Sequence, residues 1–507
     1  MTPSDMKTPR FKSRSPAPLG GYGAEKRGWE NVTRHQISGV RFWVRRIING
    51  IVRHDTTMVA EPLRRQIRSF TVGGMIGALL LLAAFVLGMF KAGGVPGAND
   101  ILADRTTSAL YVRINDDQQR QILHPVLNLA SARLIVNKAA NPVPVKSGEI
   151  DKFPRGNTVG IPGAPQRIVP STALDSRWLV CDALSGPDRG VTVIAGDPSA
   201  TPGQASPIPA STAVLATADA GESTWLVWEG KRSRIDLGDT VVRTALGINI
   251  DSAPPRPINR QLLNLIPESP PLVVPFIANP GDPPRFVWPA PGQAPVIGSV
   301  VVDHENERTN YFAVTADGLQ PIPATIATML RARDAYGLIK PPELTPDQIA
   351  KAPVARPIPV EDYPAAAVKV ADPSSQPVTC GQWVKLASSP TSTLVLLLGE
   401  SLPIAPQTRP VPLVQAGPLT AARVVMPSGT GFFVQITGQQ PRSETRESVY
   451  WVSDLGVRYG IESGLGSDNP AAALGMTTEK PLPMPWSILL LLSAGPTLSK
   501  ADALVAH

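Results

Sequence analysis

The period of the apolar positions changes along the chain. Between Thr33 and Arg53, Ile37, Val40, Val44, Ile47, Ile48 and Ile51 recur at three- and four-residue steps. That spacing predicts a helix with one apolar face. Arg41 and Arg45 lie four apart on another side, and Asp55 and Thr56 interrupt the pattern. A second helix is expected from about Val59, with Pro62 tolerated in its first turn. It runs into Phe70–Phe90, FTVGGMIGALLLLAAFVLGMF, 21 residues without a charge or a proline. At 1.5 Å per residue this covers about 31 Å, the thickness of a hydrocarbon core. A cleaved signal peptide has a short leader and an apolar run of about 7–15 residues. Here 69 residues precede the run, so the stretch reads as a signal anchor.

Beyond it the period shortens to two. Four segments share an aromatic or apolar strand, a polar turn and a second strand: Leu110–Asp117, Trp225–Ile235, Tyr311–Ile322 and Tyr450–Tyr459. Their turns carry Asn-Asp, Glu-Gly, Asp-Gly and Asp-Leu-Gly, which suit chain reversal. A short apolar stretch of helical character follows each: Gln121–Leu129, Val241–Ile248, Ala324–Arg331 and Pro470–Leu474. A second echo links Pro125–Ser131, Asn259–Pro267 and Trp486–Ser493 as Leu-rich helical pieces. The spacing between segments is irregular, so this is no solenoid of fixed period. The expected organisation is a basic arm over 1–69, a membrane helix over 70–91, and repeats at 97–136, 206–272, 296–340 and 431–500. A central region is supplied by 137–205 and 365–430. Pro267–Pro291 and Pro341–Pro373 read as Pro-rich surface linkers.

Composition narrows the fold class. The 507 residues include 55 prolines, about twice the usual ~5%. Proline breaks helix interiors and sheet centres, which excludes an all-helical bundle. With 43% hydrophobic and 18% charged residues, disorder throughout is excluded too. The expected class is α+β, mostly β: a single transmembrane helix and a large external domain of repeated β-hairpin and short-helix units around the central region.

Charge sets the topology. Residues 1–69 hold 14 Lys+Arg and 5 Asp+Glu, whereas the rest holds 34 and 36. The long C-terminal part therefore has no basic field for nucleic acid. Arg64, Arg65 and Arg68 precede the span, with Arg41, Arg45, Arg46 and Arg53 behind them; only Lys91 and Arg105 lie close on the other side. Positive residues stay in the cytoplasm. The arm is expected inside and some 416 residues outside. Both cysteines, Cys181 and Cys380, fall in the outer part beside strand-like sequence. An oxidising compartment permits a disulfide between them; two separate buried thiols are the alternative.

The arm carries a pattern of its own: Thr33-x-x-Gln36-x-x-Gly39-x-Arg41-Phe42-x-x-Arg45-Arg46, then Asp55-x-x-Met58, then Pro62-Leu63-Arg64-Arg65-Gln66 and the span. It closely resembles the start of the EccB family, membrane components of the mycobacterial type VII (ESX) secretion systems. The resemblance continues through Trp178-x-Val180-Cys181 and Thr379-Cys380-x-x-Trp383 and covers nearly the whole chain. It implies several related repeats around a central region. It also implies an inner-membrane protein, single-pass, with a cytoplasmic N-terminus and a periplasmic C-terminal domain. The implied partners are an FtsK/SpoIIIE-type ATPase (EccC), EccD, EccE and further copies of the chain. On this reading Arg41, Phe42, Arg45, Arg46, Arg64 and Arg65 are the candidate docking residues. A basic amphipathic helix beside a membrane can equally lie on anionic lipid.

Catalytic motifs are missing. No G-x-x-x-x-G-K-[ST] occurs; Gly230-Lys231 lacks the earlier glycine and the following hydroxyl residue. Gly399-Glu400-Ser401 runs into Leu402-Pro403, and His304-Glu305 has no second histidine nearby. The five histidines are scattered. Asp303, Glu305 and Glu307 alternate and could offer oxygens to a cation, but a solvated hairpin tip explains them as well. Asp116-Asp117 reads as a turn. Trp225, Trp228, Trp451 and Trp486 read as core, with glycan or partner contact as the alternative. No cofactor is expected, although EccB proteins are catalogued as ATPases. The sequence thus points to a structural core subunit of a secretion complex. A weak ATPase of the same machine and a single-span cell-wall-binding receptor are the alternatives.

Overall fold

The computed structural model describes residues 34–54, 62–90, 94–116, 118–218, 221–305, 308–414, 417, 419–463, 468–476 and 480–507. They fall into an N-terminal segment, Met1–Ala92, and a C-terminal body, Gly93–His507.

The N-terminal segment is helical. α1 spans Arg34–Arg53, and α2 spans Pro62–Phe90. Helix α2 opens on Pro62, whose missing N–H costs nothing at a first helical position. The expected start at Val59 lies outside the described residues. Within α2, Gln66–Val86 is long and apolar enough to cross a membrane, and no part of it is buried.

The body repeats one order of elements four times among the described residues: three antiparallel strands, a helix, a segment returning parallel to the first strand, a second helix, and a segment parallel to the third. In module 1 these are β1 (Ile101–Asp104), β2 (Leu110–Asn115), β3 (Gln121–Val126), α3 (Leu129–Val136), β4 (Val143–Val145) and α4 (Ser147–Ile150). β4 lies parallel to β1, and Arg155 bridges Leu123 of β3 in parallel. Gln121–Val126, expected to be helical, is thus a strand. Pro125 cannot sit in a helix interior, and Leu123 and Val126 are buried from β3. The helix begins only at Leu129, after Asn128 accepts a hydrogen bond from the Ser131 N–H.

The chain then lays down β5 (Ser176–Ala183), β6 (Gly190–Ala195) and β7 (Ser206–Pro207) of the central sheet. Module 2 follows with β8 (Thr212–Ala218), β9 (Ser223–Trp228), β10 (Lys231–Ile235), α5 (Thr240–Ala245), β11 (Arg256–Pro257), α6 (Arg260–Leu265) and β12 (Glu268–Leu272). Its hairpin turns on Glu229-Gly230 alone, both at positive φ, the geometry that matches strand twist. Module 3 has β13 (Val300–Glu305), β14 (Arg308–Val314), β15 (Leu319–Ile322), α7 (Ala324–Arg333) and α8 (Pro346–Lys351). Its return segments are single parallel bridges, Glu343 to Val302 and Val354 to Leu319.

After β16 (Lys369–Val370), which pairs with β8, the chain re-enters the central sheet as β17 (Val378–Lys385), β18 (Thr393–Gly399), β19 (Val411–Pro412) and β20 (Arg423–Val425). That sheet has the order β19-β20-β6-β5-β17-β18-β7. Module 4 closes the chain with β21 (Phe432–Thr437), β22 (Val449–Val452), β23 (Val457–Ile461), α9 (Pro470–Ala473), β24 (Leu482–Pro485), α10 (Trp486–Leu489) and β25 (Ser493–Ala494), then α11 (Lys500–Ala503). α6 and α10 hold the second-helix position in their modules. In module 1 that position belongs to α4, so the expected match of Pro125–Ser131 to them is off by one element.

The modules share cores in pairs. Module 1 packs Ala130 and Leu134 with Phe433, Trp451 and Leu474 of module 4, and Leu498 and Ala503 complete the cluster. Asp468 accepts from Asn137 Nδ2 and pairs with Lys500 at 3.1 Å. His507 N donates to Thr158 O at 2.8 Å, tying the last residue to module 1. Modules 2 and 3 join through Leu215, Trp228, Val242, Ala313, Ile326 and Leu330. One face of the central sheet packs against modules 2 and 4 together. There Trp178 meets Phe432 edge-on at 5.1 Å, and its Nε1 donates to Ser176 Oγ. Trp178 is 1% exposed. Trp178→Ala is expected to cost about 3–5 kcal/mol, read as a lower urea midpoint of the purified protein; an unchanged midpoint would remove this contact from the account.

Candidate functional site

Two sets of contacts hold the surfaces of the body in place. The first lies between β5 and β17. They pair antiparallel over their full length, from Val378↔Ala183 to Lys385↔Ser176, and Cys380 stands opposite Cys181. The two are bonded, with Cα atoms 4.0 Å apart at a sequence separation of 199. Both are fully buried on the face that also holds Leu179, Ile194, Val378 and Leu397. The alternative of two separate thiols is overturned: strand register sets the cysteines side by side.

A polar lock sits next to the bond. Asp182 and Thr379, the residues beside the two cysteines, are also opposite each other. Asp182 accepts from Asn259 N and Asn259 Nδ2, both at 2.7 Å. Arg256, 1% exposed, donates Nη1 to Thr379 Oγ1 and Nη2 to Gln376 O at 2.8 Å. Arg256, in β11, and Asn259, the N-cap of α6, both belong to module 2, so this cluster bolts that module to the central sheet. Burial pushes the Asp182 carboxyl up, against the Asn259 bonds and the Arg256 charge that favour ionisation. Burial likewise pushes Arg256 down to about 10, opposed by Asp182 and Asp372. Sequence reasoning missed this cluster; its only trace is a lone acid in the run Trp178–Ala183 and an arginine between Pro255 and Pro257.

The acidic and aromatic candidates scatter. Asp303 is buried and accepts from Asn310 Nδ2 at 3.3 Å, while Glu305 is exposed and Glu307 lies outside the described residues. Among the described residues no group of three His, Cys, Asp or Glu is placed to hold a metal. Asp116 caps its turn by accepting from Gln118 N and Arg120 N; Asp117 lies outside the described residues. Trp225, Trp228 and Trp451 are core residues, and Trp486 is half exposed with Arg458 stacked on its ring. A cleft of about 720 Å³ beside β7 and β16 is lined by Ser206, Asn249, Lys369, Asp372 and Gln376. Its carboxylate, Asp372, is engaged by Ser374 N and Oγ.

On α1, Arg41, Arg45 and Arg46 are exposed and Phe42 is half-buried. Arg64 and Arg65 fall in the first turn of α2, and their side chains lie outside the described residues. Phe42 and Arg46 are four apart and share a face. Val44 is two residues from each, roughly 200° around the helix, so the basic-aromatic face and the apolar stripe are opposed.

These features define a modular β-protein behind a helix of membrane-spanning length, stapled across its central sheet. The family whose model matches residues 29–507 is described as the type VII secretion system ESX-1, transport TM domain B. The ESX-3 secretion system ATPase EccB3 of Mycolicibacterium smegmatis is 47% identical over 100% of this chain and 96% of its own length. The Mycobacterium tuberculosis protein of the same name is 45% identical over 94% and 90%. A chain of the intact ESX-5 inner membrane complex superposes with a TM-score of 0.71 at 34% identity, covering 96% of this chain and 97% of that one. A chain of the EccB3 dimer from the ESX-3 core complex gives 0.71 at 43% identity, covering 80% and 100%. The chain belongs to the EccB family of type VII secretion proteins.

Two outcomes test the staple and the lock. Replacing Cys181 and Cys380 together by Ser is expected to cost up to about 5 kcal/mol for a loop of this size, and mass mapping of unreduced protein should recover one cross-linked peptide pair. Two free-thiol peptides would contradict it. Arg256→Met should cost about 1–3 kcal/mol by leaving the buried acceptors of Thr379 and Gln376 unpaired. The raised Asp182 carboxyl contributes stability that is full below its ordinary pKa of 3.8 and is lost as pH rises through its folded value. Asp182→Asn removes that titration, so urea midpoints should shift progressively in the variant's favour as pH rises above 3.8.

Proposed function

We propose that this chain is a structural core subunit of an ESX inner-membrane complex. The observation that carries the reading is similarity along nearly the whole chain to a subunit of the intact ESX-5 inner membrane complex. In this reading α2 crosses the membrane once. The arm, with its surplus of arginine, stays in the cytoplasm, and the body stands in the periplasm, where oxidation of Cys181 and Cys380 is favoured. The four modules descend from one repeat and present contact surface to further copies of the chain; a chain of the EccB3 dimer is a structural relative. Arg41, Phe42, Arg45 and Arg46, with Arg64 and Arg65, dock the arm onto an EccC-type FtsK/SpoIIIE ATPase, EccD and EccE. The subunit works without a bound cofactor. The curated relatives carry the name ATPase, but this chain has no P-loop sequence to hold nucleotide phosphates.

Native purification through a tag on this chain, followed by mass spectrometry, tests the reading: the other core components should copurify. Reversing Arg41, Arg45 and Arg46 to Glu should lower their recovery several-fold while the chain stays in the membrane fraction. Normal recovery would sink the docking assignment. Cysteines placed at exposed module positions, such as Val354 and Leu455, should give cross-links between copies in cells. Absence of such products at every site tried would remove the self-association part.

A further inference from the structure

The docking reading uses one side of α1 and leaves the other unexplained. Ile37, Val40, Val44, Ile47, Ile48 and Ile51 form an unbroken stripe and are 37–70% exposed. Trp43, 67% exposed, borders it beside Ile47. α1 contains five arginines and no acidic residue. Arg41 and Arg45 lie along the other border of the stripe, while Gly39, Phe42 and Arg46 lie opposite and Gly50 falls in line with Trp43. Only residues 54–61 separate the end of α1 from the start of α2. Eight residues reach at most about 29 Å, so α1 is held close to the first turns of the membrane-length helix.

We infer that α1 is an interfacial helix whose apolar stripe lies in the headgroup layer of an anionic leaflet. The inference rests on the reading of α2 as a membrane span. Three features favour lipid over a protein groove. The apolar width is broad rather than a narrow two-position seam. One border of the stripe carries the exposed Trp43, a residue type that favours the boundary between acyl chains and headgroups. The surrounding arm carries only positive excess, complementary to acidic headgroups. The opposite face, with Gly39, Phe42 and Arg46, stays turned to the cytoplasm, where a protein neighbour can approach closely. One helix thereby serves two partners through opposed faces.

The test uses the full-length chain alone in lipid nanodiscs, so no partner subunit is present. Nitroxides are placed one at a time at Val44→Cys, Ile51→Cys, Asn49→Cys and, within α2, Leu80→Cys. The native cysteines are buried and bonded and take no label. Power-saturation accessibility to oxygen against a water-soluble nickel chelate is read in discs with phosphatidylglycerol and in discs of phosphatidylcholine only. The label at 80 should be deep in both. In phosphatidylglycerol discs, labels at 44 and 51 should favour oxygen by about threefold over the label at 49, and the ratio should fall in the zwitterionic discs. Ile47→Asp with Ile48→Asp should return the label at 51 to water without moving the one at 80. Equal aqueous exposure of 44, 49 and 51, with 80 deep, overturns the inference and leaves the membrane reading intact. Shelter of 44 and 51 only in the assembled complex overturns it in favour of a protein groove. A water-exposed label at 80 would instead overturn the span itself.

Discussion

The body depends on one pairing, β5 with β17. The chain leaves the central sheet after Pro207 and returns to it at Val378, having built modules 2 and 3 in between. Three pairings join the early and late parts of that sheet, β6 with β20, β7 with β18 and β5 with β17; the last is the longest, and its register sets Cys181 opposite Cys380. Closing so long a loop is entropically costly in an unfolded chain, and the covalent bond removes much of that cost. The disulfide does not create the register, since Trp178↔Trp383 and Asp182↔Thr379 already belong to it; it makes that register hard to leave.

With β5 and β17 in place, the modules assort into two joined pairs. Modules 1 and 4, far apart in sequence, share a core closed by the C-terminal residues, and modules 2 and 3 share another. One face of the sheet touches both pairs, through α6 and β8–β9 of module 2 and through β21 and α10 of module 4. Arg256 and Asp182 add direction to this otherwise apolar joint, because their hydrogen bonds are met in only one seating of module 2. A body stapled in this way suits a subunit that presents fixed surfaces to neighbours.

Much of this was legible in the sequence where the signal is local. The four hairpins announce themselves by aromatic and β-branched alternation around turn residues, as in Trp225–Ile235 with Glu229-Gly230 at its tip. The helices after strands three are legible in modules 2 to 4 and misplaced in module 1, where Gln121–Val126 is apolar enough to read either way until Pro125 is weighed. The return strands were invisible. β11 has two residues, β4 has three with a proline in the middle, and module 3 uses single bridges; none is long enough to show a period. The central strands read only as apolar runs, since both faces of β5 are buried. The polar lock was illegible for another reason: Asp182, Arg256 and Asn259 are brought together by tertiary packing, and no spacing in the chain foreshadows it.

Hydrogen exchange of the native protein, followed by mass spectrometry with and without reductant, tests most directly whether the β5–β17 pair holds the body together. Under oxidising conditions the amides of 177–183 and 378–384 should be among the slowest to exchange in the chain. On reduction they should lose protection together, along with the joints of α6 and α10 to the sheet, while the separate cores of the module pairs retain theirs. Protection in these two strands that is unchanged by reduction, or lost in one strand and kept in the other, would contradict the account.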